Sequence, residues 1–164
     1  MNRLKYSIVY LVGSMDDGRE EGRKWREDLT NWLEAQNIIV LDPYKKPLLS
    51  ENDEEDIRLE DDRAWEANLE HMEHRDYDAL TKSMKSVRAT DLRMTDKADF
   101  LIVNYDVNKR LCGTIEEIVT ANRQKKPIII KCEDKSKLPF WLFGMIPHEL
   151  FFETWEDVCK WIFL

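Results

Sequence analysis

The chain of 164 residues has few of the residues that break or staple a backbone: five glycines, five prolines and three cysteines. Cys112, Cys132 and Cys159 are widely spaced and form no CxxC pair. An odd count without a framework excludes a disulfide scaffold and suits a reducing cytoplasm. Around the first strand only Gly13, Gly18 and Gly22 are present. They do not make a GxGxxG fingerprint, and no GK[ST] follows, so a Walker loop is excluded. No apolar run approaches the ~18 residues that a membrane span needs. Met1 to Tyr6 is polar and leads straight into a strand-like run, so no signal peptide is expected. Excess positive charge is also missing: 33 acidic residues against 25 basic ones give −8. That removes the basic footprint nucleic-acid binding normally leaves.

What is present is core material. The chain is 43% hydrophobic with six Trp, six Phe and five Tyr. Burying one large apolar side chain contributes roughly 1.5–3 kcal/mol, so disorder across the whole chain is excluded. The length suits one domain, residues 1–164. The acidity is concentrated: Glu51 to Asp78 holds 13 acidic and three basic residues, a local −10, leaving the remainder at +2. An acidic insertion, about residues 50–78, thus interrupts a nearly neutral domain. Trp65, Leu69 and Met72 share one possible helical face in it. It is expected to form a helical flap, against the alternative of a disordered loop of high charge density.

Tyr6 to Val12 is rich in β-branched and aromatic residues and stops at Gly13, the pattern of a buried strand. Trp25, Leu29, Trp32 and Leu33 follow at amphipathic-helix spacing. Ile38 to Leu41 is a second strand, ended by Asp42-Pro43. A helix is predicted from Tyr77 through Leu80, Met84 and Val87, and a shorter one from Asp91 to Lys97. Phe100 to Val103 is a strand, and Gly113-Thr114 opens a helix with Ile115, Ile118 and Val119 inward. Pro127 to Lys131 is a fourth strand, and a helix carrying Trp155, Val158, Cys159 and Ile162 follows Phe151-Phe152. Strand-like runs alternating with helices imply parallel strands and crossover helices, hence an α/β sandwich. Ligands of such sheets sit at the carboxyl ends of strands, which directs attention to Tyr10–Arg23, Asp42–Tyr44 and Asn104–Glu117.

Three fragments there can carry chemistry. Gly13-Ser14, leading to Arg19 and Arg23, reads either as a tight turn or as an anion site at a helix start. Thr114-x-x-Glu117 reads as a capping box, in which Glu117 bonds back to the Thr114 amide. Its alternative is a carboxylate held over the sheet edge as nucleophile or base. Arg88-x-x-Asp91-Leu92 reads as helix grammar, with Thr90 as N-cap and Asp91 favoured in the first turn. Glu116 is read as merely solvated.

Taken in order, Tyr10-x-x-Gly13-Ser14, Arg88-x-x-Asp91-Leu92 with Ala98-Asp99 behind it, Gly113-Thr114-x-x-Glu117-Ile118 and Lys126-Pro127 before a strand form a set. This ordered set resembles the nucleoside 2-deoxyribosyltransferase family, including its nucleoside-monophosphate N-glycosidase branch, over nearly the whole chain. The resemblance implies a Rossmann-like (flavodoxin-like) parallel sheet between helices. It implies cleavage of an N-glycosidic bond, with Glu117 attacking the anomeric carbon, Asp91 handling the proton of the departing base and Tyr10 holding the nucleophile. Such chemistry requires neither metal nor organic cofactor: a carboxylate meets an oxocarbenium-like carbon and an acid assists the leaving group. It also implies a nucleoside or nucleoside-monophosphate substrate and a homo-oligomer.

Substrate contacts are expected from Gly13, Ser14, Arg19, Arg23, Gly113 and Thr114. Where the family often places Asp or Ser before the Gly-Thr pair, Leu111 and Cys112 stand here, and Asn104 or Asp106 are the candidate substitutes. That departure favours the alternative, a catalytically silent nucleotide-binding module of the same fold. His71 and His74 are three apart with no distant third ligand, which argues for a solvated helix face over a metal site. Pro139 to Gly144 is either core or, as aromatic clusters are enriched at interfaces, a subunit contact, which is the preferred reading.

Overall fold

The computed structural model describes residues 4–14, 19–45 and 73–164. The described elements are β1 (Ile8–Gly13), α1 (Arg19–Ala35), β2 (Ile39–Leu41), α2 (His74–Lys97), β3 (Phe100–Asn104), α3 (Cys112–Arg123), β4 (Ile128–Lys131), a four-residue α4 (Phe140–Phe143), β5 (Phe151–Phe152) and α5 (Trp155–Phe163). The five strands are all parallel, in the order β2-β1-β3-β4-β5. This is the α/β, flavodoxin-like order.

Side chains of successive β1 residues point to opposite faces of the sheet, and Val9 to Val12 are buried on both. Val9 and Leu11 pack with Leu29 and Leu33 of α1 and Val158 and Ile162 of α5. Tyr10 and Val12 pack on the other face with Met94 of α2 and Ile118 and Ala121 of α3. Strands covered on both faces read as continuous apolar runs, which is why β1, β3 and β4 were visible in the sequence. At the carboxyl edge, Gly13 pairs in register with Asn104 and Asn104 with Lys131. The order reverses between β1 and β3, the place where such sheets open a ligand crevice.

Three expectations need correction. Strand β1 begins at Ile8, because Tyr6 turns with φ 69° and is 70% exposed. The two helices predicted between Tyr77 and Lys97 are one, with no Gly or Pro to part them. Thr90 is no N-cap: it lies inside α2, buried, and its hydroxyl donates to the Ser86 carbonyl at 3.1 Å. Back-bonding of this kind satisfies a helical Thr without ending the helix. Trp65, Leu69 and Met72, on which the acidic flap was argued, fall outside the described residues, as does the side chain of His74.

Candidate active site

Helix α3 starts at Cys112, and its N-cap, Leu111, has no capping side chain. Thr114 is therefore already inside the helix, and the capping-box reading of Thr114-x-x-Glu117 fails. Glu117 turns to the sheet instead. It is 8% exposed, and its Oε1 accepts the Tyr10 hydroxyl proton at 2.6 Å. The bond spans 107 positions of sequence and joins the inward face of β1 to the first turns of α3.

Burial pushes the Tyr10 phenol well above its usual value, and the neighbouring carboxylates of Glu117 and Asp91 push it further. Ionising it would set a phenolate against Glu117 without water to separate them, so Tyr10 remains a neutral donor. A hydrogen bond to a charged acceptor in a buried place contributes about 1.5–3 kcal/mol. It also fixes the carboxylate in one orientation.

Glu117 and Tyr10 line a cavity of about 290 Å³, and Asp91 lines it as well. Gly13, Ser14, Gly113 and Thr114 complete the group of predicted residues that the fold brings together there. Asp91 reaches it from the C-terminal third of α2, whose position is tied to α3. The Arg88 guanidinium clasps Glu116 with both carboxylate oxygens engaged, one contact being Nε to Oε2 at 2.7 Å. The expectation that Glu116 is merely solvated is therefore corrected: it is an interhelix anchor, its carboxyl held below the usual range by the Arg88 hydrogen bond. Arg88 sits one helical turn before Asp91, so the clasp lies on the face of α2 that Asp91 occupies.

The remaining predicted residues lie elsewhere. Asn104 and Asp106 line a second cavity, of about 320 Å³, that shares Ser14 with the first. Asp106 accepts the Asn108 amide at 2.9 Å, shaping the loop after β3. Arg23 borders neither cavity and lies over the Tyr44 ring at 5.0 Å. The side chain of Arg19 lies outside the described residues.

Sequence reasoning marked the stretches that hold Pro43, Arg110, Leu111 and Cys112 but did not assign these residues as cavity walls. Pro43 is set by the turn in which Asp42 accepts the Tyr44 amide at 3.0 Å. The Asp42-Pro43 stop signal after β2 pointed there. It missed Arg26 too, which is 0% exposed and donates to the carbonyls of Gly22 at 2.8 Å and Gly13 at 3.1 Å. An arginine beside the apolar stripe of Trp25, Leu29 and Leu33 reads from sequence as a solvated flank.

No group of three or more His, Cys, Asp or Glu among the described residues is placed to hold a metal ion. No helix among them is long and apolar enough to cross a membrane.

The parallel α/β fold is one that solved structures share. No protein-family model and no curated protein matches the chain. A 2-deoxyribosyltransferase from Bacillus psychrosaccharolyticus is similar at 17% identity and TM-score 0.63, over 94% of this chain and 91% of that one. A CMP N-glycosidase from Clostridium botulinum is similar at 19% identity and TM-score 0.52, over 94% and 96%. A 2-desoxiribosyltransferase from Leishmania mexicana is similar at 12% identity and TM-score 0.55, over 95% and 97%. The chain thus shares the fold of these deoxyribosyltransferases and of an N-glycosidase over more than nine-tenths of its length.

Proposed function

We propose that this chain cleaves the N-glycosidic bond of a nucleoside or nucleoside monophosphate and passes the sugar to another base or to water. The observation that carries this reading is the buried Tyr10–Glu117 hydrogen bond at 2.6 Å, in a cavity that Asp91 also lines. Its support is threefold: the motif resemblance, the shared fold and the presence of two carboxyl groups in one small cavity.

In the proposed reaction the Glu117 carboxylate attacks the anomeric carbon and forms an ester with the sugar. The carbon–nitrogen bond breaks, its electron pair goes to the base, and Asp91 delivers a proton to that base. An incoming base or water then attacks the same carbon, loses its proton to Asp91 and releases Glu117. Two inversions retain configuration at the carbon, as in two-carboxylate glycoside chemistry. Tyr10 holds the nucleophile and, being neutral, adds no charge to it. The residues proposed to face the sugar are Gly13, Ser14, Gly113 and Thr114, which line the cavity.

A second reading, a binding module without turnover, draws on Leu111 and Cys112 at the cavity wall. One comparison separates the two. The wild type, Glu117→Gln and Glu116→Gln are incubated with a panel of deoxynucleosides and monophosphates, and free base is followed by chromatography. Glu117→Gln is expected to fold and to lose turnover by orders of magnitude, because an amide is a far poorer nucleophile. Glu116→Gln, which weakens only the exposed Arg88 clasp, is expected to stay within a few-fold of wild type, since solvent screens so exposed a pair. No base release by the wild type, with binding retained, selects the module. Near-normal release by a folded Glu117→Gln protein ends the nucleophile assignment.

A further inference from the structure

The second cavity on the carboxyl edge, about 320 Å³, lies over the ends of β3 and β4 and is walled on the α1 side by Trp25. Its most buried cation is Lys131, the last residue of β4, whose side chain is 10% exposed. The ammonium stands 5.6 Å over the Trp155 ring, and Trp155 stacks on Trp25 at 5.2 Å. A buried ammonium needs a close counter-charge. The carboxylate beside it belongs to Glu133, at 3.2 Å, and that side chain is 87% exposed. An ion pair with so solvated a partner is weak and screened, so Glu133 can turn into water when a better anion arrives.

Two more ammonium groups line the same cavity from other segments. Lys109 comes from the loop after β3 and pairs with Asp106 at 3.8 Å; Lys137 comes from the turn after β4 and pairs with Asp134 at 3.1 Å. Three cations on three segments suit a group with several oxygens pointing apart, more than a planar carboxylate. Lysines meet such groups as point charges.

We propose that this cavity is an oxyanion subsite that takes a phosphate-type group, with Lys131 as its buried cation and Glu133 as the carboxylate the ligand displaces. The register places Lys131 two strands from Gly13, roughly 10 Å at the usual strand spacing of about 4.8 Å. The two cavities meet at Ser14. One ligand therefore spans both, its sugar beside Glu117 and its phosphate beside Lys131. That extension rests on the proposed N-glycosidic reaction; the oxyanion site itself does not. It also moves the anion away from Arg23, which borders neither cavity.

The test is binding of inorganic phosphate and pyrophosphate at constant ionic strength, read by calorimetry and by tryptophan fluorescence, since Lys131 lies on Trp155. Lys131→Met keeps the apolar stem and removes the charge; its affinity is expected to fall at least tenfold. Glu133→Gln removes the competing carboxylate from an exposed position, and affinity is expected to rise several-fold. Should Lys131→Met fail to fold, Glu133→Gln decides alone. Absence of phosphate binding, a folded Lys131→Met protein that binds as wild type does, or a Glu133→Gln protein that binds no tighter overturns the site. Measuring the same affinities in Glu117→Gln keeps the result independent of turnover. Phosphate that competes with a nucleoside monophosphate but not with the nucleoside identifies the substrate's own phosphate as the ligand. Competition with neither identifies a separate anion in the same site. Competition with both puts phosphate in the Glu117 cavity and overturns the assignment to Lys131.

Discussion

Tyr10 carries a phenol into a position where its ionisation would bring two negative groups together away from water. Burial first, then Glu117 and Asp91, raise its proton affinity in the folded state. A group with a raised folded value stabilises the fold fully below its unfolded value, about 10 for tyrosine, and that stability is lost as pH climbs through the folded value. Urea unfolding of the wild type is therefore expected to show stability declining more steeply above about pH 10 than in Tyr10→Phe, which has no phenol to ionise. Tyr105, also raised by burial, contributes equally to both proteins, so their difference isolates Tyr10. On the proposed mechanism, Tyr10→Phe also loses a bond to a charged acceptor of about 1.5–3 kcal/mol. The turnover number is then expected to fall roughly tenfold or more. Equal alkaline slopes would remove the buried Tyr10–Glu117 pair from the account. The pairing of Tyr10 with Glu117 was expected from the ordered motif set but not from Glu117's own neighbourhood: Thr114-x-x-Glu117 fits a capping box as written, and only the position of the helix start, three residues earlier than such a box needs, excludes it.

Helices α2 and α3 carry the two carboxylates that line the cavity, and several bonds tie the two helices together. Beyond the Arg88–Glu116 clasp, Gln124 donates to Asp96 at 2.6 Å, and the Lys126 ammonium donates to the carbonyls of Thr95 and Asp96, each at 2.6 Å. Lys126 thereby caps the end of α2, where a cation meets exposed carbonyls and the negative end of the helix dipole. The periodicity of α2 was readable, but its continuity was not, because Thr90-Asp91 looks like a helix start and only tertiary packing decides otherwise. Gly113 gives this scale its prediction. It lies in the first turn of α3 and lines the cavity, and a Cβ added there meets nothing within 4 Å. Gly113→Ala is expected to raise stability by about 0.5–1 kcal/mol through helix propensity. The same methyl would intrude on the space proposed for the sugar, so the Michaelis constant is expected to rise. Thermal melting and kinetics on one preparation read both. A stabilised variant with unchanged kinetics would place the sugar away from α3.

At the scale of the whole molecule, alternation of apolar runs and helical stripes foretold the parallel sandwich, and the carboxyl-edge rule foretold the side on which the cavities open. Of the second cavity only Ser14, Asn104 and Asp106 were singled out, because its other walls come from the loop after β3, the end of β4 and α1, segments whose meeting no short motif encodes. Strand β5, two residues long, escaped as well. The surface offers one further expectation. Pro139 sets off the short helix α4, where Leu142 is buried while Phe140 is 90% and Trp141 82% exposed. Large aromatics presented together on a soluble surface mark contact sites, and the family resemblance implies a homo-oligomer. Self-association through α4 is therefore expected: light scattering on a sizing column should give a mass above that of one chain. Replacing Phe140 and Trp141 together with Ser should return it to the monomer. Both side chains are nearly free of the protomer's own core, so its melting temperature at low concentration should hardly move. A wild-type protein that stays monomeric at high concentration would leave this face without a role in assembly, and one whose oligomer survives the double substitution would place the contact elsewhere.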